Sequence, residues 1–301
     1  SKRYTSIHFL NNFINAYLLF RKRMNYQVIV LGGNFQENLA YLIIQRIFSK
    51  KRRPIIQIEC IWFQSGSLKQ SLKKMLIRWL DTITDVYYVY SRVQVHEYPA
   101  RFGIDKNKII FLPYHTTIDK TPAEIIQGQY LFSGGDTARD YPTLLEAVKD
   151  IDQEVFIACS DSSFLKNSHL PKNVTIESVT HHEFRKLMKN SWINVVPLTK
   201  GTGHKAGQQT FLNAMAMGKP VIVSDPEGAR DYIENGHDGL LVPPEDPEKL
   251  KEAITFLLKD GQNAISIAKK AKERAKHLDT ETHLKKIVEC AMGLYIFTNE
   301  L

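Results

Sequence analysis

Ten short runs of β-branched and aromatic residues alternate with helical patterns along the chain, and this alternation restricts the fold more than any other feature. Strands that alternate with helices pair in parallel and are covered by helices. Ten strands in 301 residues fit two doubly wound domains better than one. The predicted strands are Gln27–Leu31, Pro54–Ile58, Val86–Tyr90, Lys108–Leu112, Tyr130–Ser133, Glu154–Ala158, Val174–Ser178, Ile193–Pro197, Pro220–Ser224 and Gly239–Val242.

The junction between the two domains is predicted within residues 116–129, because the chain from Leu112 onward is polar, contains Pro113 and Pro122, and lacks periodicity. We therefore expect a first domain over residues 1–120, a second over residues 121–280, and a C-terminal helix over residues 281–301 that packs back on the first domain. Residues 7–22 form a helical pattern ahead of the first clear strand. Either the first domain lacks its first strand or it departs from the doubly wound pattern.

The composition is that of a globular protein, with 43% hydrophobic and 24% charged residues. Three cysteines in so long a chain make no disulfide framework, which predicts a reducing, cytoplasmic location. No apolar run reaches the ~20 residues needed to cross a bilayer, and no signal peptide is visible. A peripheral position on the inner face of a membrane is also compatible with these features.

Positive charge is concentrated in the first part of the chain. Residues 1–120 carry 19 basic and 7 acidic residues, whereas the rest carry 21 and 25. This asymmetry indicates an anionic partner: a membrane surface, a phosphorylated substrate or nucleic acid. Nucleic acid is not favoured, because the basic residues lie beside aliphatic helix faces and no named nucleic-acid module occurs.

Residues 68–80 have the pattern of a basic amphipathic helix. Two interpretations stay open: an apolar face that packs on the core with a solvated basic back, or a helix that lies on an anionic membrane. The apolar positions at helical spacing are Leu68, Leu72, Met75, Leu76, Trp79 and Leu80, and the basic positions are Lys69, Lys73, Lys74 and Arg78.

Two glycine-containing loops follow predicted strands in the second domain. Gly134 and Gly135 end one strand, and Arg139 stands just before the next helix. Glycines let a ligand approach the backbone, a helix start offers free N–H groups to an anion, and arginine suits phosphate.

The second loop follows the strand at 193–197 and repeats this layout with Gly201, Gly203 and Gly207, beside His204 and Lys205. Its helix begins near Ala206 and continues through Gln208 and Asn213. Two such loops aimed at one crevice predict a diphosphate-binding site.

The sequence between Gly203 and Leu250 resembles the donor-binding half of GT-B glycosyltransferases, most closely family 4, the glycosyl transferases group 1. The residues that carry it include 213–225 (NAMAMGKPVIVSD), Gly228 and 235–247 (NGHDGLLVPPEDP), and the likeness extends back over about residues 108–260. The resemblance implies an α/β protein of the GT-B fold, with two doubly wound Rossmann-like domains facing a cleft and a C-terminal helix after the second domain.

The resemblance also implies a hexosyltransferase-type enzyme of polysaccharide or glycolipid assembly. Its donor would be a nucleotide-diphosphate sugar, with a UDP-sugar favoured over a GDP-sugar, and its acceptor a lipid-linked sugar or a glycan. The donor-binding residues would be Gly134, Gly135, Arg139, Gly203, His204, Lys205, Ala206, Gly207, Gln208 and Asn213.

The sequence departs from the family at two positions, since the family has two glutamates eight residues apart where this chain has Lys205 and Asn213. Asn213 can still bond a ribose hydroxyl, and Lys205 can bind the diphosphate or an acidic sugar. The alternative function is therefore a non-catalytic GT-B-like protein that binds a sugar nucleotide or an anionic surface.

The catalytic candidates are Glu59, His115 and Lys205. Glu59 and His115 follow strands of the first domain and would act as a base if the reaction inverts the sugar configuration. We expect instead a retaining reaction that needs no protein base. No metal site and no cofactor beyond the donor are expected, because Asp150 and Asp152 form a D-x-D at the amino edge of the sheet and no metal-ligand motif occurs.

Overall fold

The computed structural model describes residues 2–32, 35–48, 54–59, 67–118, 125, 127–167, 169–201, 206–225 and 228–299. The chain divides into two compact units. The first comprises Ser1–Leu112 and Leu284–Leu301, and the second comprises Pro113–His283.

The first unit contains a four-stranded parallel sheet in the order β1-β2-β3-β4. Because each crossover advances in the same direction, right-handed connections place α2, α3 and α4 on one face of this sheet. The strands are β1 (Val28–Leu31), β2 (Ile55–Glu59), β3 (Val86–Val89) and β4 (Ile109–Phe111), and the helices are α1 (Lys2–Lys22), α2 (Phe35–Phe48), α3 (Ser67–Asp81) and α4 (Arg92–Phe102).

The second unit contains a six-stranded parallel sheet in the order β10-β9-β8-β5-β6-β7. The chain winds outward from β5 to β7, returns to the other side of β5 and continues from β8 to β10. This is the doubly wound order, and its direction reverses between β5 and β8. The strands are β5 (Leu131–Gly134), β6 (Val155–Ala158), β7 (Val174–Glu177), β8 (Ile193–Val196), β9 (Val221–Ser224) and β10 (Leu240–Val242).

Six α-helices are found among the described residues from 141 onward. The last of them begins in the second unit, and its residues from Leu284 onward belong to the first. None of the described helices is both long and apolar enough to cross a membrane. The helices are α5 (Tyr141–Val148), α6 (His181–Asn190), α7 (Gln208–Ala216), α8 (Pro247–Lys259), α9 (Gly261–Ala275) and α10 (Thr280–Asn299).

The predicted α/β class with parallel sheets is confirmed, and each predicted strand is present with ends that differ by a residue or two. All residues of β3, β8 and β9 are buried, as expected of parallel strands covered by helices. Segment 113–118 belongs to the second unit because its polar groups bond there. The Thr116 N–H donates to the Leu278 carbonyl at 2.7 Å, and the Pro113 carbonyl lies 3.0 Å from His283 Nδ1.

Lys219 is a buried cation in the second unit. Its side chain is 1% exposed, and its Nζ donates to the Ser191 carbonyl at 2.8 Å. Burial, and then repulsion from Lys189, lowers the pKa of Lys219 from 10.5 to about 8. Between those two pH values the unfolded chain holds a proton that the folded chain has lost, so the free energy of unfolding should rise with pH.

We expect the free energy of unfolding of the natural chain to rise relative to that of a Lys219→Met variant, by up to about 3 kcal/mol from pH 7 to pH 10. Urea denaturation at each pH measures the difference. Lys172→Met, at an exposed lysine, is the control and should show no such trend. Parallel pH curves for the natural chain and Lys219→Met would contradict the expectation.

Candidate functional site

The loops that follow β5 and β8 meet at the point where the second sheet reverses direction. Arg139 and Leu198 form an antiparallel bridge between the loops. The Asp140 N–H donates to the Pro197 carbonyl at 3.0 Å, and the Thr199 N–H donates to the Ala138 carbonyl at 3.2 Å. The structure thus brings together the two loops that the sequence predicted to share one crevice, at the edge where doubly wound sheets bind ligands.

Arg139 ties the first loop to the start of α7. Its Nε donates to the Gly134 carbonyl at 2.9 Å, its Nη1 to the Thr137 carbonyl at 2.7 Å, and its Nη2 to Thr210 Oγ1 at 2.9 Å. Burial lowers the pKa of Arg139, but a guanidinium remains protonated at neutral pH. Three of its five N–H groups are used in these bonds, and the other two have no hydrogen-bond partner among the described residues.

Gly135 makes this arrangement possible. Its φ is +106°, and a Cβ at this position would lie 2.7 Å from Arg139 Nη2. The Gly135 carbonyl also accepts a hydrogen bond from the Tyr141 hydroxyl. A side chain at this position would therefore displace the guanidinium as well as strain the backbone.

The second loop ends at the N-terminus of α7. Gly207 begins the helix in a left-handed conformation without a side-chain cap, and a Cβ on it would lie 2.9 Å from Val196. Ala206 and Gln208, on either side, are buried. A helix N-terminus without a side-chain cap presents backbone N–H groups and the positive end of the helix dipole.

A cavity of about 530 Å³ lies beside these loops within the second unit. This volume is in the range of small-molecule sites. Its wall comes from the loops after β5, β6 and β7 and from α7, through residues such as Gly135, Ser160, Ser178, His181, Thr210 and Asn213.

Asp136 gives this cavity one fixed negative charge. Its carboxylate accepts hydrogen bonds at 2.7 Å from both the N–H and the hydroxyl of Ser160. The bond from the Ser160 hydroxyl is the largest cause of a lowered pKa for Asp136, so this carboxylate is ionised at neutral pH.

Asn213 holds the neighbouring chain on α7. Its Oδ1 accepts from Thr116 Oγ1 and from the Thr117 N–H, both at 2.8 Å, and its Nδ2 donates to Thr117 Oγ1 at 3.1 Å. Both lone pairs of the amide oxygen are engaged in these bonds. A bond from Asn213 to a ribose hydroxyl would therefore have to be donated by the second N–H of the amide. This bond stays a prediction.

Three of the predicted donor residues, Gly203, His204 and Lys205, lie outside the described residues. The prediction that Lys205 binds the diphosphate or takes part in catalysis is therefore not addressed by the geometry.

Glu59 lies in the first unit, at the carboxyl end of β2. The Tyr90 hydroxyl, just after β3, donates to Glu59 Oε2 at 2.6 Å. On the other side, a Cβ placed on Gly32 would lie 3.4 Å from Glu59 Oε1. The sequence analysis missed Tyr90 and Gly32, although both directly follow strands beside β2 and this shared position could have revealed them.

His115 packs in the second unit against the start of α10. Its Nδ1 lies 3.0 Å from Thr280 Oγ1 and 3.2 Å from the Thr116 carbonyl. Its ring is stacked on Tyr114 and lies 4.4 Å from the His283 ring, measured between centroids. These contacts account for His115 structurally, and its catalytic role stays a prediction.

Among the described residues, one group has metal-ligand spacing. Ligand atoms of Glu234, His237 and Asp238 lie within 4.8 Å of one another. Arg274 forms an ion pair with Asp238, so a cation already occupies this cluster. Asp150, of the D-x-D, is bonded to Lys251 Nζ at 3.2 Å.

Comparison with solved structures defines the class of fold. HepE of Anabaena, solved with UDP-glucose, aligns with a TM-score of 0.73 at 15% identity, over 92% of this chain and 82% of that chain. Sucrose-phosphate synthase of Thermosynechococcus elongatus aligns with a TM-score of 0.72 at 18% identity, over 94% and 77%. The chain therefore has the GT-B glycosyltransferase fold.

Residues 140–276 match the family model described as "Glycosyl transferases group 1". The predicted resemblance to this family is thus confirmed for the greater part of the second unit, the part that contains α7 and the loop before it.

Two curated proteins share shorter segments. N,N'-diacetylbacillosaminyl-diphospho-undecaprenol alpha-1,3-N-acetylgalactosaminyltransferase of Campylobacter jejuni is 35% identical over 95 residues, which is 31% of this chain and 24% of that protein. An uncharacterized glycosyltransferase of Methanocaldococcus jannaschii is 28% identical over 166 residues, 52% of this chain and 44% of that protein. The chain therefore matches less than half the length of either relative.

Replacing Gly135 with alanine should destabilise the chain and displace Arg139. We expect Gly135→Ala to lower the free energy of unfolding by about 2–3 kcal/mol, from backbone strain and loss of the Arg139–Thr210 bond. Gly201→Ala is the matched control, since Gly201 has φ +69° and its added Cβ would lie within 4 Å of no atom in the described part of the chain. Urea denaturation of both variants measures the difference, and equal losses would show that the contact with Arg139 is unimportant.

Proposed function

We propose that this chain is a glycosyltransferase that moves a sugar from a nucleotide-diphosphate donor to a lipid-linked or polysaccharide acceptor. The observation that carries the proposal is the junction of the two loops at the reversal point of the second sheet, with a charged arginine and a helix N-terminus beside a cavity of about 530 Å³. HepE, which shares the fold, has been solved with UDP-glucose, and this supports a nucleotide-sugar donor.

The diphosphate would lie against the backbone of Gly135 and the first turn of α7. The two remaining N–H groups of Arg139 and the helix N-terminus would meet its negative charge. Lys205 would add a further cation. The nucleoside would extend into the cavity, and we favour a UDP-sugar over a GDP-sugar as the donor.

The same groups would stabilise the leaving nucleoside diphosphate without a metal ion. In the proposed retaining reaction, the bond between the sugar C1 and the diphosphate oxygen breaks and the acceptor oxygen bonds to C1 on the same face. The leaving phosphate takes the proton of the acceptor hydroxyl. Arginine and helix-terminal N–H groups are suited to this role because they are already oriented toward the charge that develops.

The acceptor would lie against the first unit, where Glu59 projects from the carboxyl end of β2. The Campylobacter relative acts, by its name, on a diphospho-undecaprenol sugar, which supports a lipid-linked acceptor. The excess of basic residues in the first 120 positions suits an anionic membrane surface that carries such an acceptor.

A specific observation favours the second candidate, a non-catalytic protein that binds a sugar nucleotide or an anionic surface. Asn213 stands where the family has a glutamate, and its amide oxygen is fully used in bonds to Thr116 and Thr117. A chain that has lost this carboxylate could bind a donor without transferring its sugar. Transfer of sugar to any acceptor would exclude this candidate.

Calorimetric titration with UDP-glucose, UDP-N-acetylglucosamine and GDP-mannose, each with and without EDTA, tests the donor site. We expect Arg139→Ala to weaken binding of the preferred donor by roughly 10- to 100-fold, since hydrogen bonds to charged groups contribute about 1.5–3 kcal/mol. Arg139→Lys should recover part of the affinity, because it keeps the charge but not the fork.

Arg101→Ala, which removes a partly exposed ion pair with Glu97 in the first unit, is the matched control and should bind normally. Thermal unfolding of each variant separates loss of binding from loss of fold. Unchanged donor affinity in a folded Arg139→Ala variant would place the diphosphate elsewhere.

Glu59→Gln tests whether the reaction retains or inverts the configuration at the sugar C1. For the retaining reaction we expect kcat to fall by less than about tenfold, with an unchanged configuration at C1 when the product is analysed by NMR. A loss of about 100-fold or more, with inversion at C1, would instead make Glu59 the base and overturn the retaining proposal. Asp105→Asn, at an exposed helix cap of the first unit, is the control.

A further inference from the structure

The first unit exposes one apolar side of α1. Tyr17 and Leu18 follow Ile14 by three and four residues, which places all three on one side of the helix, and each is about half exposed. The opposite side of α1 carries Ala16, which is buried in the core of this unit. The solvent side of α1 therefore carries these three large apolar side chains beside the exposed amides Asn11 and Asn15. Large apolar side chains grouped in this way on a surface helix often mark an interaction site.

The end of α2 continues this exposed apolar surface. Phe48 is 72% exposed, and its neighbour Ile47 is also exposed. The Phe20 and Phe48 rings lie 6.4 Å apart, and Asn12 donates to Gln36 at 3.0 Å. These two contacts show that α1 and α2 run side by side in the same direction, so their C-terminal ends lie together.

The structure also divides the predicted apolar stripe of α3. Leu80 is buried, as is Ile77, which the prediction did not include, whereas Leu72, Met75 and Trp79 are exposed on a separate side of the helix. The Arg46 guanidinium of α2 lies 5.6 Å from the Trp79 ring centre, which places the exposed side of α3 next to the end of α2. Neither interpretation from the sequence is sufficient alone, because α3 packs on the core and also presents apolar residues to solvent.

The charges around these side chains are almost all positive. Arg21 and Lys22 end α1, and Lys74 and Arg78 are exposed on α3. The sequence of α1 contains no acidic residue, and that of α3 contains only Asp81, which lies 3.4 Å from Lys108 Nζ. Exposed apolar residues bordered by cations are complementary to anionic lipid head groups and the acyl chains beneath them.

We propose that this surface inserts into the interface of an anionic membrane, so that the protein is held by buried apolar side chains as well as by charge. We define the insertion face as Ile14, Tyr17, Leu18, Ile47, Phe48, Leu72, Met75 and Trp79. The inference extends the membrane partner suggested above but does not rest on the proposed transfer reaction, and its test needs no donor or acceptor.

Flotation with lipid vesicles tests the insertion face. We expect the natural chain to float with vesicles of phosphatidylcholine and 30% phosphatidylglycerol, and not with phosphatidylcholine alone. A measurable fraction should stay bound at 1 M NaCl, because screening removes the attraction of charges but not the burial of apolar groups. Complete release by salt would show adhesion by charge alone and would overturn the proposal.

Leu18→Ser with Phe48→Ser should reduce the partition coefficient onto these vesicles at least tenfold and abolish the fraction that resists salt. Both side chains are exposed, so the variant should keep the thermal stability of the natural chain. The control, Leu170→Ser with Phe256→Ser, removes two comparably placed apolar side chains from the second unit and should float normally.

Size-exclusion chromatography with light scattering tests whether a second copy of the chain, rather than a membrane, covers the insertion face. If the insertion face joined two copies, the natural chain would be a dimer and Leu18→Ser with Phe48→Ser would be a monomer. That result, or equal flotation of the two double variants, would overturn the proposal. A monomer whose flotation depends on the insertion face alone supports it, whatever the outcome of the donor titrations.

Discussion

The guanidinium of Arg139 is the interaction on which the candidate site depends. It bonds two carbonyls of its own loop and the hydroxyl of Thr210, and so fixes the loop after β5 to the start of α7. Arg139 and Thr210 are 71 positions apart in the chain, so one guanidinium brings a fixed charge to both elements. These bonds require glycine at position 135, because a Cβ there would lie 2.7 Å from Nη2 of Arg139. Binding geometry and backbone conformation therefore rest on the same pair of residues.

The sequence was sufficient to predict the two sheets and the meeting of these loops, for a physical reason. Parallel strands such as β8 and β9 are buried on both faces and appear as short continuous apolar runs between polar turns. Their carboxyl ends must lie at one edge, so glycines placed after two of them predict a shared crevice. The strand order was not needed for this inference, although it explains why β5 and β8 are neighbours.

The remaining features of the site depend on packing that sequence patterns do not encode. Asn213 bonds Thr117, which is 96 residues away in the chain, and a family comparison alone assigns that position to the donor. Tyr90 and Glu59 become partners only because β2 and β3 are adjacent. For α3, helical spacing groups Trp79 and Leu80 on one apolar face, but it cannot show which of them the core accepts. In the structure the core takes Leu80 and the unpredicted Ile77, and leaves Leu72, Met75 and Trp79 outside.

The replacement of two family glutamates changes the charge that a donor would meet. Asn213 is neutral and bonds Thr116 and Thr117, and Lys205 is a cation. The carboxylate that the structure describes at this cavity is instead Asp136, which accepts hydrogen bonds from Ser160. In the proposed site, a diphosphate beside Arg139 and α7 would meet the guanidinium and the positive end of the helix dipole, which are already oriented toward it. The same groups would hold the product nucleoside diphosphate strongly. In the proposed reaction, release of that product, rather than transfer of the sugar, would set the rate of turnover.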